Sequence, residues 1–509
     1  MTIKNESNMQ QIIEEIIPPE EMEPKTIDDV VELPSFMEKI AELEAIQGKP
    51  FSEIEEDIQN KLVFRRVQQM VNILKVNPLW KERIENSGIT GTPQNFEEWQ
   101  QLPITDRETL NEFYMGKRPG LVVPLTYSGF EIIASGGTSG GLPIETVYTL
   151  RELNDTYQMS GEFMDRYVLR NYLNQEEIKW IITTLSDYEM WSSGTMIGGI
   201  LQRTPNVNYV AAGPMGQIVY NHILSFEGDK AIMGMSREIE QLIELGSKSD
   251  QKARDSFKLA IYGSGVIQAR KVAELQELYP DLQILSYFAS NQAEAIGMQM
   301  TPDSYLAAVP GLHLIEIVDD NGKWVKEGEE GELVITRLHA TEAPILRMKL
   351  GDRMIRRPSL QGNGLKSQQM EFSGRSGDIV HLGETHYGAP LVYAALCREL
   401  KEANILDLDV LAHEIQFLNN RKEKKLYLLV TVDNAKDAAA ALNKPGAKSA
   451  REFFVSALKQ AISLYDQTEK QFESLDNIVY EFEIKPVEQG SEEIYRTKVN
   501  KVPLIKDVF

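Results

Sequence analysis

Residues 132–149 read IIASGGTSGGLPIETVYT: an apolar, β-rich stretch runs into a dense Gly/Ser/Thr loop and out again into a strand-like run. Glycine lets a backbone approach a ligand closely and aim successive N–H groups at an anion, while serine and threonine add hydroxyl donors. That composition supports the cradling of phosphate; taken alone it also suits a flexible surface loop. The loop lacks the Gly-Lys-Ser/Thr ending of a Walker loop and the dinucleotide fingerprint, which disfavours a P-loop kinase or ATPase. The one cysteine, Cys397, lies in LVYAALCREL, whose apolar spacing predicts a helix and a buried structural thiol. A single cysteine excludes disulfides and cysteine-bound structural zinc within the chain. The six histidines show no metal-ligand spacing, and no Ser–His–Asp set can be assigned. His313 alternates with apolar residues in GLHLIEIV, as a structural strand residue does.

The elements that must hold such a loop can be read from periodicity. Residues 1 to about 35, broken by IIPPEEMEP, predict an extended arm or a loosely docked helix. SFMEKIAELEAIQ and SEIEEDIQNKLVFRRVQQMVNILKV carry apolar residues at helical spacing. KWIITTL, KLAIYG and LQILSYF are short β-rich runs, the last two separated by the helical ARKVAELQELYP, an alternation that predicts parallel strands with crossover helices. From about 312 to 358, HLIEIVDDNGKW, GELVITRL and ILRMKLGDRMIRR predict strands joined by an Asn-Gly turn, a small β-rich subdomain. Beyond 378, KKLYLLVTV, IVYEFEI and AREFFVSALKQAISLY predict a smaller α+β unit. The class is α/β: a helical arm at 1–60, a large body at 61–373 with parallel-rich sheets, helices and the β subdomain, and a smaller mobile α+β C-terminal domain at 374–509.

With 509 residues, 42% hydrophobic and 25% charged, the composition is that of an ordinary globular protein of more than one domain. A net charge of −23 argues against non-specific binding to nucleic acid or an anionic membrane, both of which need a cationic surface. No apolar run approaches the length that spans a bilayer and MTIKNESNMQQ has no secretory character, so a cytoplasmic enzyme is expected.

The loop resembles the Ser-Ser-Gly-Thr-Thr-Gly-x-Pro signature of adenylate-forming enzymes, the superfamily of acyl-CoA synthetases, peptide-synthetase adenylation domains and luciferases. The flanking text resembles phenylacetate–CoA ligases in particular. The likeness runs from about residue 60 to the C-terminus, with six motifs in order. NPLWKERIENSGI and EEWQQLPITDRETL resemble the helical lead-in, and GSGV (263–266) resembles the loop lining the adenine and acyl pockets. GEEGELVITRL (328–338) and PILRMKLGD (344–352) resemble the strand pair that ends in a ribose-binding aspartate. FSGRSGD (372–378) resembles the interdomain hinge, and YRTKVNKV (495–502) the tail with the mobile catalytic lysine.

The resemblance implies ATP-dependent activation of an aryl or acyl carboxylic acid as its acyl-AMP, with pyrophosphate released. Transfer to a thiol follows, coenzyme A being the expected acceptor; an amine, a carrier protein or a partner enzyme are the alternatives, and a non-catalytic nucleotide- or acyl-binding homologue is a third reading. A homodimer is compatible with all of them. By the same resemblance Ser135, Gly136, Gly137, Thr138, Ser139 and Gly140 hold the β- and γ-phosphates, Gly263, Ser264 and Gly265 line the nucleotide, and Asp352 takes the ribose hydroxyls. Arg375 contacts ribose or phosphate, Asp378 is the hinge, and Lys501, five residues after Arg496, bridges carboxylate and α-phosphate, with Lys498 as fallback. Lys501, Thr138 and Arg375 are thus the catalytic set. The loop GETHYGAP (383–390) borders the thiol tunnel, and Trp191, Met196 and GSGVI are candidates for the acyl pocket.

The chain departs from the pattern at several points. The family's Tyr-Gly-x-Thr-Glu, whose aromatic stacks on adenine and whose acid binds Mg2+, reads Phe288, Ala289, Ser290, Asn291, Gln292. Gln292 is a neutral amide where the metal asks for a carboxylate, and Glu294 is the nearby acid that a small shift could supply. Gly141 stands where many relatives have a lysine, Met348 where an aromatic is usual, and Asn500 where a glycine precedes the lysine.

Overall fold

The computed structural model describes residues 2–508 apart from 90, 128, 135–144, 188–189, 266, 268, 363, 376–377, 383–384, 447, 462–478 and 497–501. The N-terminal segment is packed against the body. Helix Thr2–Ile16 ends on Ile13 and Ile16, which with Ile17 are buried in the same core as helix Glu56–Leu74. The apolar residues at its C-terminal end are what dock it. Helix Ile27–Glu32 begins in a capping box, with Thr26 Oγ1 accepting from Asp29 N–H and Asp29 returning a carboxylate to Thr26 N–H. Helix Phe36–Gln47 starts on the Ser35 hydroxyl and stops at Gly48, whose φ of +66° is the left-handed end that glycine supplies.

Strands β1 (Phe130–Ala134) and β2 (Glu145–Thr149) pair antiparallel, with Ala134 opposite Glu145. They form the arms of a hairpin around residues 135–144. Next come β3 (Lys179–Thr183), β4 (Asn208–Ala211), β5 (Asp229–Met235), β6 (Phe257–Gly263) and β7 (Gln283–Ser290). These pair in parallel in the order β7-β6-β5-β3-β4, as the alternation of strands and helices predicts. Neighbouring residues of each strand face opposite cores: Ile181, Met233, Ile261 and Leu285 pack with helices Leu150–Met164 and Ser193–Gln202. Ile182, Ile232, Ala260 and Ile284 pack instead with helices Ser236–Ser247 and Ala269–Leu278. Apolar residues on both faces of a strand are the mark of a sheet covered on both sides.

The stretch expected as a small β-rich subdomain lies in the antiparallel half of this same sheet. β8 (Glu294–Gln299), β9 (Leu306–Ala308), β10 (His313–Val318), β11 (Glu330–Arg337), β12 (Met348–Leu360) and β13 (Ser367–Arg375) add an antiparallel half through β7–β8 pairing. Among the described residues the full order is β10-β11-β12-β13-β9-β8-β7-β6-β5-β3-β4.

A second core begins at Val380, past the last member of the first at Met370. Hairpin β14 (Ile379–Leu382) and β15 (Thr385–Gly388) leads into helix Ala389–Glu402. With helix Ala450–Ala461 this covers a sheet of β16 (Glu414–Asn420), β17 (Lys425–Val432), β18 (Glu481–Glu488) and β19 (Ile505–Val508), ordered β18-β17-β16-β19. Cys397 is buried in this core, where burial pushes its thiol up to about 12 and keeps it a poor nucleophile. Among the described residues no helix is long and apolar enough to cross a membrane.

Candidate active site

Ligands of α/β sheets bind outside the carboxyl ends of the parallel strands. There β6 and β7 deliver two of the loops that the sequence singles out. β6 ends at Gly263, where a Cβ would lie 2.7 Å from the Tyr287 ring, so the approach of β6 to β7 requires glycine. Ser264 follows at φ +61°, a strained conformation of the kind held at binding sites. β7 carries Phe288 at its end, against Phe372 of β13, with ring centroids 5.9 Å apart and planes at 34°.

Three residues after Phe372 stands Arg375, directly across from Asp352 in the β12–β13 register. Arg375 Nε is 3.4 Å from Asp352 Oδ1; the arginine side chain is 49% exposed and the aspartate 12%. A bulge creates this placement. Between the β11 partners of Lys349 and Arg353, β12 carries extra residues, and Gly351 within them takes φ +84°. Bulges re-aim side chains, and a glycine is what permits the left-handed turn. Phe288 thus reaches β13, the strand that carries Arg375 opposite Asp352, although Phe288 and Asp352 stand 64 positions apart in sequence.

Other expected site residues fall elsewhere. Ser135, Gly136, Gly137, Thr138, Ser139, Gly140, Lys498 and Lys501 lie outside the described residues. Their flanks are described: Ala134, at the root of the Gly-rich loop, accepts a hydrogen bond from Asn291 Nδ2 at 2.7 Å. Asn291 is buried, and its side chain is engaged within the protein by that bond. Asp378 is held by its backbone on both sides, donating to Arg375 O and accepting from Ala389 N–H, each at 2.8 Å. Met196 is buried in the core beside helix Leu150–Met164.

The metal expectation fares differently. Gln292 is half-buried, with its N–H on Ser290 Oγ at 3.2 Å. Glu294, the alternative acid, is buried at φ +43° and faces an interior cluster of Glu152, Arg337 and His313. Among the described residues no group of three His, Cys, Asp or Glu could hold a metal ion.

That interior cluster carries no signal in the sequence, where Glu152 stands in RELN and Arg337 in VITRL. Arg337 Nε lies 3.5 Å from Glu152 Oε1, and both side chains are essentially buried. Burial pushes Glu152 up to about 7, against the attraction of Arg337, and pushes Glu294 up to about 8, with repulsion from Glu152 adding to it. Burial drives His313 down to about 3, so its 3.8 Å approach to Glu294 joins two neutral groups rather than an ion pair. Folding thus raises the proton affinity of Glu294 above its unfolded value near 4.5. Its contribution is full below that pH and is lost as pH rises toward 8. Glu294→Gln should flatten the decline of the unfolding free energy, measured in urea, over that window, by at most about 1.4 kcal/mol for each pH unit. Parallel pH curves for the two proteins would refute this placement of the carboxyl.

A polar seam joins the two cores. Arg270, on the helix after the GSGV loop, donates to Asp433 Oδ2 at 2.9 Å and lies 3.1 Å from His413 Nε2. Those contacts hold the Asp433 carboxylate down to about 2.

No family model matches the chain, and no curated protein matches it. Solved structures do. 2-Hydroxyisobutyryl-CoA ligase in the postadenylation state, in complex with 2-HIB-AMP, superposes with a TM-score of 0.63 at 15% identity, over 90% of this chain and 91% of that one. The chain shares the fold of that ligase. An open conformation of the same ligase, in complex with 2-HIB-AMP and CoA, gives 0.58 at 16% identity over 90% and 93%.

Proposed function

We propose that the chain is an AMP-forming carboxylate ligase. The observation that carries this reading is the convergence of Phe288, Asp352 and Arg375 at the carboxyl end of the sheet, beside the root of the Gly-rich hairpin. Phe288 offers an aromatic face to a purine, and the Asp352 carboxylate can accept from both ribose hydroxyls. Arg375, half-exposed, is free to turn from Asp352 toward ribose or phosphate oxygens. The loop at 135–140 supplies the donors for the β- and γ-phosphates. In the reaction a carboxylate oxygen attacks the α-phosphorus, the bond to the bridging oxygen breaks, and pyrophosphate leaves with the electron pair. Two anions meet in that step, so catalysis is positioning and charge stabilisation, and Lys501 supplies the positive charge. The body at 61–373 would bind the nucleotide and the unit at 374–509 would bring Lys501, turning about Asp378.

Coenzyme A is the proposed acceptor. Its support is the shared fold with a ligase whose structures hold 2-HIB-AMP together with CoA. The thiol would attack the acyl carbon, AMP would leave, and the thiol proton would pass to solvent. The acid is a small aryl or acyl carboxylate. ATP–pyrophosphate exchange over aryl, fatty and amino acids tests the first step, with Asp352→Ala as the control that loses ATP binding. Exchange with at least one acid and thioester on adding CoA are expected. Exchange without thioester would replace CoA by an amine or carrier thiol. No exchange with any acid would overturn the ligase reading and leave a nucleotide- or acyl-binding protein.

A further inference from the structure

We propose that Tyr148 and Asn291 are positioning residues, a buried clasp that fixes the β1–β2 hairpin against the base-side loop at the end of β7. The inference rests on the nucleotide-binding reading given above. Tyr148, on β2, is fully buried and donates its hydroxyl to Asn291 O at 2.8 Å. Asn291 Nδ2 in turn donates to Ala134 O, on β1, at 2.7 Å. One residue therefore grips both arms of the hairpin, one through its backbone and the other through its side chain. The partners lie 143 and 157 residues away in sequence. Both bonds are interior, so water cannot replace either one when it is lost.

Arg337 stiffens the clasp from β11. Its guanidinium carbon lies 4.1 Å from the centre of the Tyr148 ring, and Nη2 donates to Val147 O at 3.1 Å and to Ala343 O at 3.0 Å. Glu152 sits on its other side, 3.5 Å from Nε. The tyrosine ring is thus stacked on a cation whose own position is fixed by two carbonyls and a carboxyl group. Tyr148 can swing only if that assembly moves.

The consequence lies in the ligand's length. Phe288 stands three residues before Asn291, and the Gly-rich segment begins one residue after Ala134. A nucleotide that stacks on the first and places its phosphates at the second bridges the clasp, so the clasp sets the distance between its two ends. A group that binds only the base end has no such requirement.

Calorimetry of ATP and of adenosine on wild type, Tyr148→Phe, Asn291→Ala and the double variant tests this. Tyr148→Phe keeps the ring and the arginine stack and removes only the hydroxyl, so it reports even where Asn291→Ala folds poorly. Each single variant should weaken ATP about fivefold to tenfold, the range of one buried hydrogen bond, while adenosine stays within about twofold. The double variant should lose less than the product of the two, because both bonds serve one residue. Unchanged ATP affinity in Tyr148→Phe, or equal loss of ATP and adenosine, overturns the clasp alone. A wild type that binds neither ligand overturns the nucleotide reading and the clasp with it.

Discussion

Lys501→Ala is expected to slow ATP–pyrophosphate exchange by about a hundredfold or more, with ATP affinity and thermal midpoint close to wild type. The attacking carboxylate and the α-phosphate gather negative charge as they approach, and a lysine between them acts only in that encounter. Its removal therefore falls on the rate and spares ground-state binding. The flanks of the lysine give the expectation its structural footing. Gln416, buried in β16, donates to Tyr495 O at 3.1 Å and to Pro503 O at 3.0 Å, and accepts from Tyr495 N–H at 2.9 Å. Arg496 pairs through both terminal nitrogens with Glu414. Tyr495, Arg496 and Pro503, which flank the lysine in sequence, are thus tied to β16. Lys498→Ala should leave exchange within a few fold of wild type. A large loss in Lys498→Ala with none in Lys501→Ala would move the role to Lys498.

Arg347→Ala should destabilise the fold by about 3–5 kcal/mol, a large share of the 5–15 kcal/mol typical of a globular protein. Arg347 is essentially buried at φ +47° and lies on the loop leading into β12. Its Nε donates to both oxygens of Glu316, at 3.2 and 3.3 Å, and Nη1 donates to Gln100 O and Leu102 O at 2.8 and 2.6 Å. Nη2 donates to Gly322 O at 2.6 Å. Glu316 is completed by the indole N–H groups of Trp99 and Trp324, at 3.1 and 2.7 Å. Removing the arginine strands a buried carboxylate and three carbonyls, each of which keeps its desolvation cost. Urea unfolding measures the loss. Replacing the pair together, Arg347→Met with Glu316→Leu, should recover part of it because no charge is then left alone. A change under about 1 kcal/mol in the single variant would show that this network does not bear on stability. Since Arg347 leads into the bulge that aims Asp352, ATP affinity should fall in the same variant.

What the sequence determined by itself is what neighbouring residues settle among themselves. Helix Glu56–Leu74 is specified by apolar residues on one face, and Cys397 by the face of a helix that buries it. The α/β class follows from the alternation around β6, helix Ala269–Leu278 and β7. Phe288, Asp352 and Arg375 are singled out only by the resemblance of their short motifs to a family's, and Gly351 before Asp352 supplies the left-handed turn that one of those motifs needs. Only the tertiary structure decided which side chains meet. Asn291 stands in a motif assigned to the nucleotide, and only the fold shows that its side chain also bonds to β1. Glu294 reads as a spare acid and becomes a buried carboxyl because strand pairing turns it toward Arg337 and His313. Arg347 reads as one basic residue in PILRMKLGD and becomes the centre of a network drawn from residues 99, 100, 102, 316, 322 and 324. A charge on its own carries no signal of its partner in a linear pattern. Its burial is tolerable only where distant backbone and side chains converge on it, and that convergence belongs to the pairing of the sheet rather than to any local run of residues.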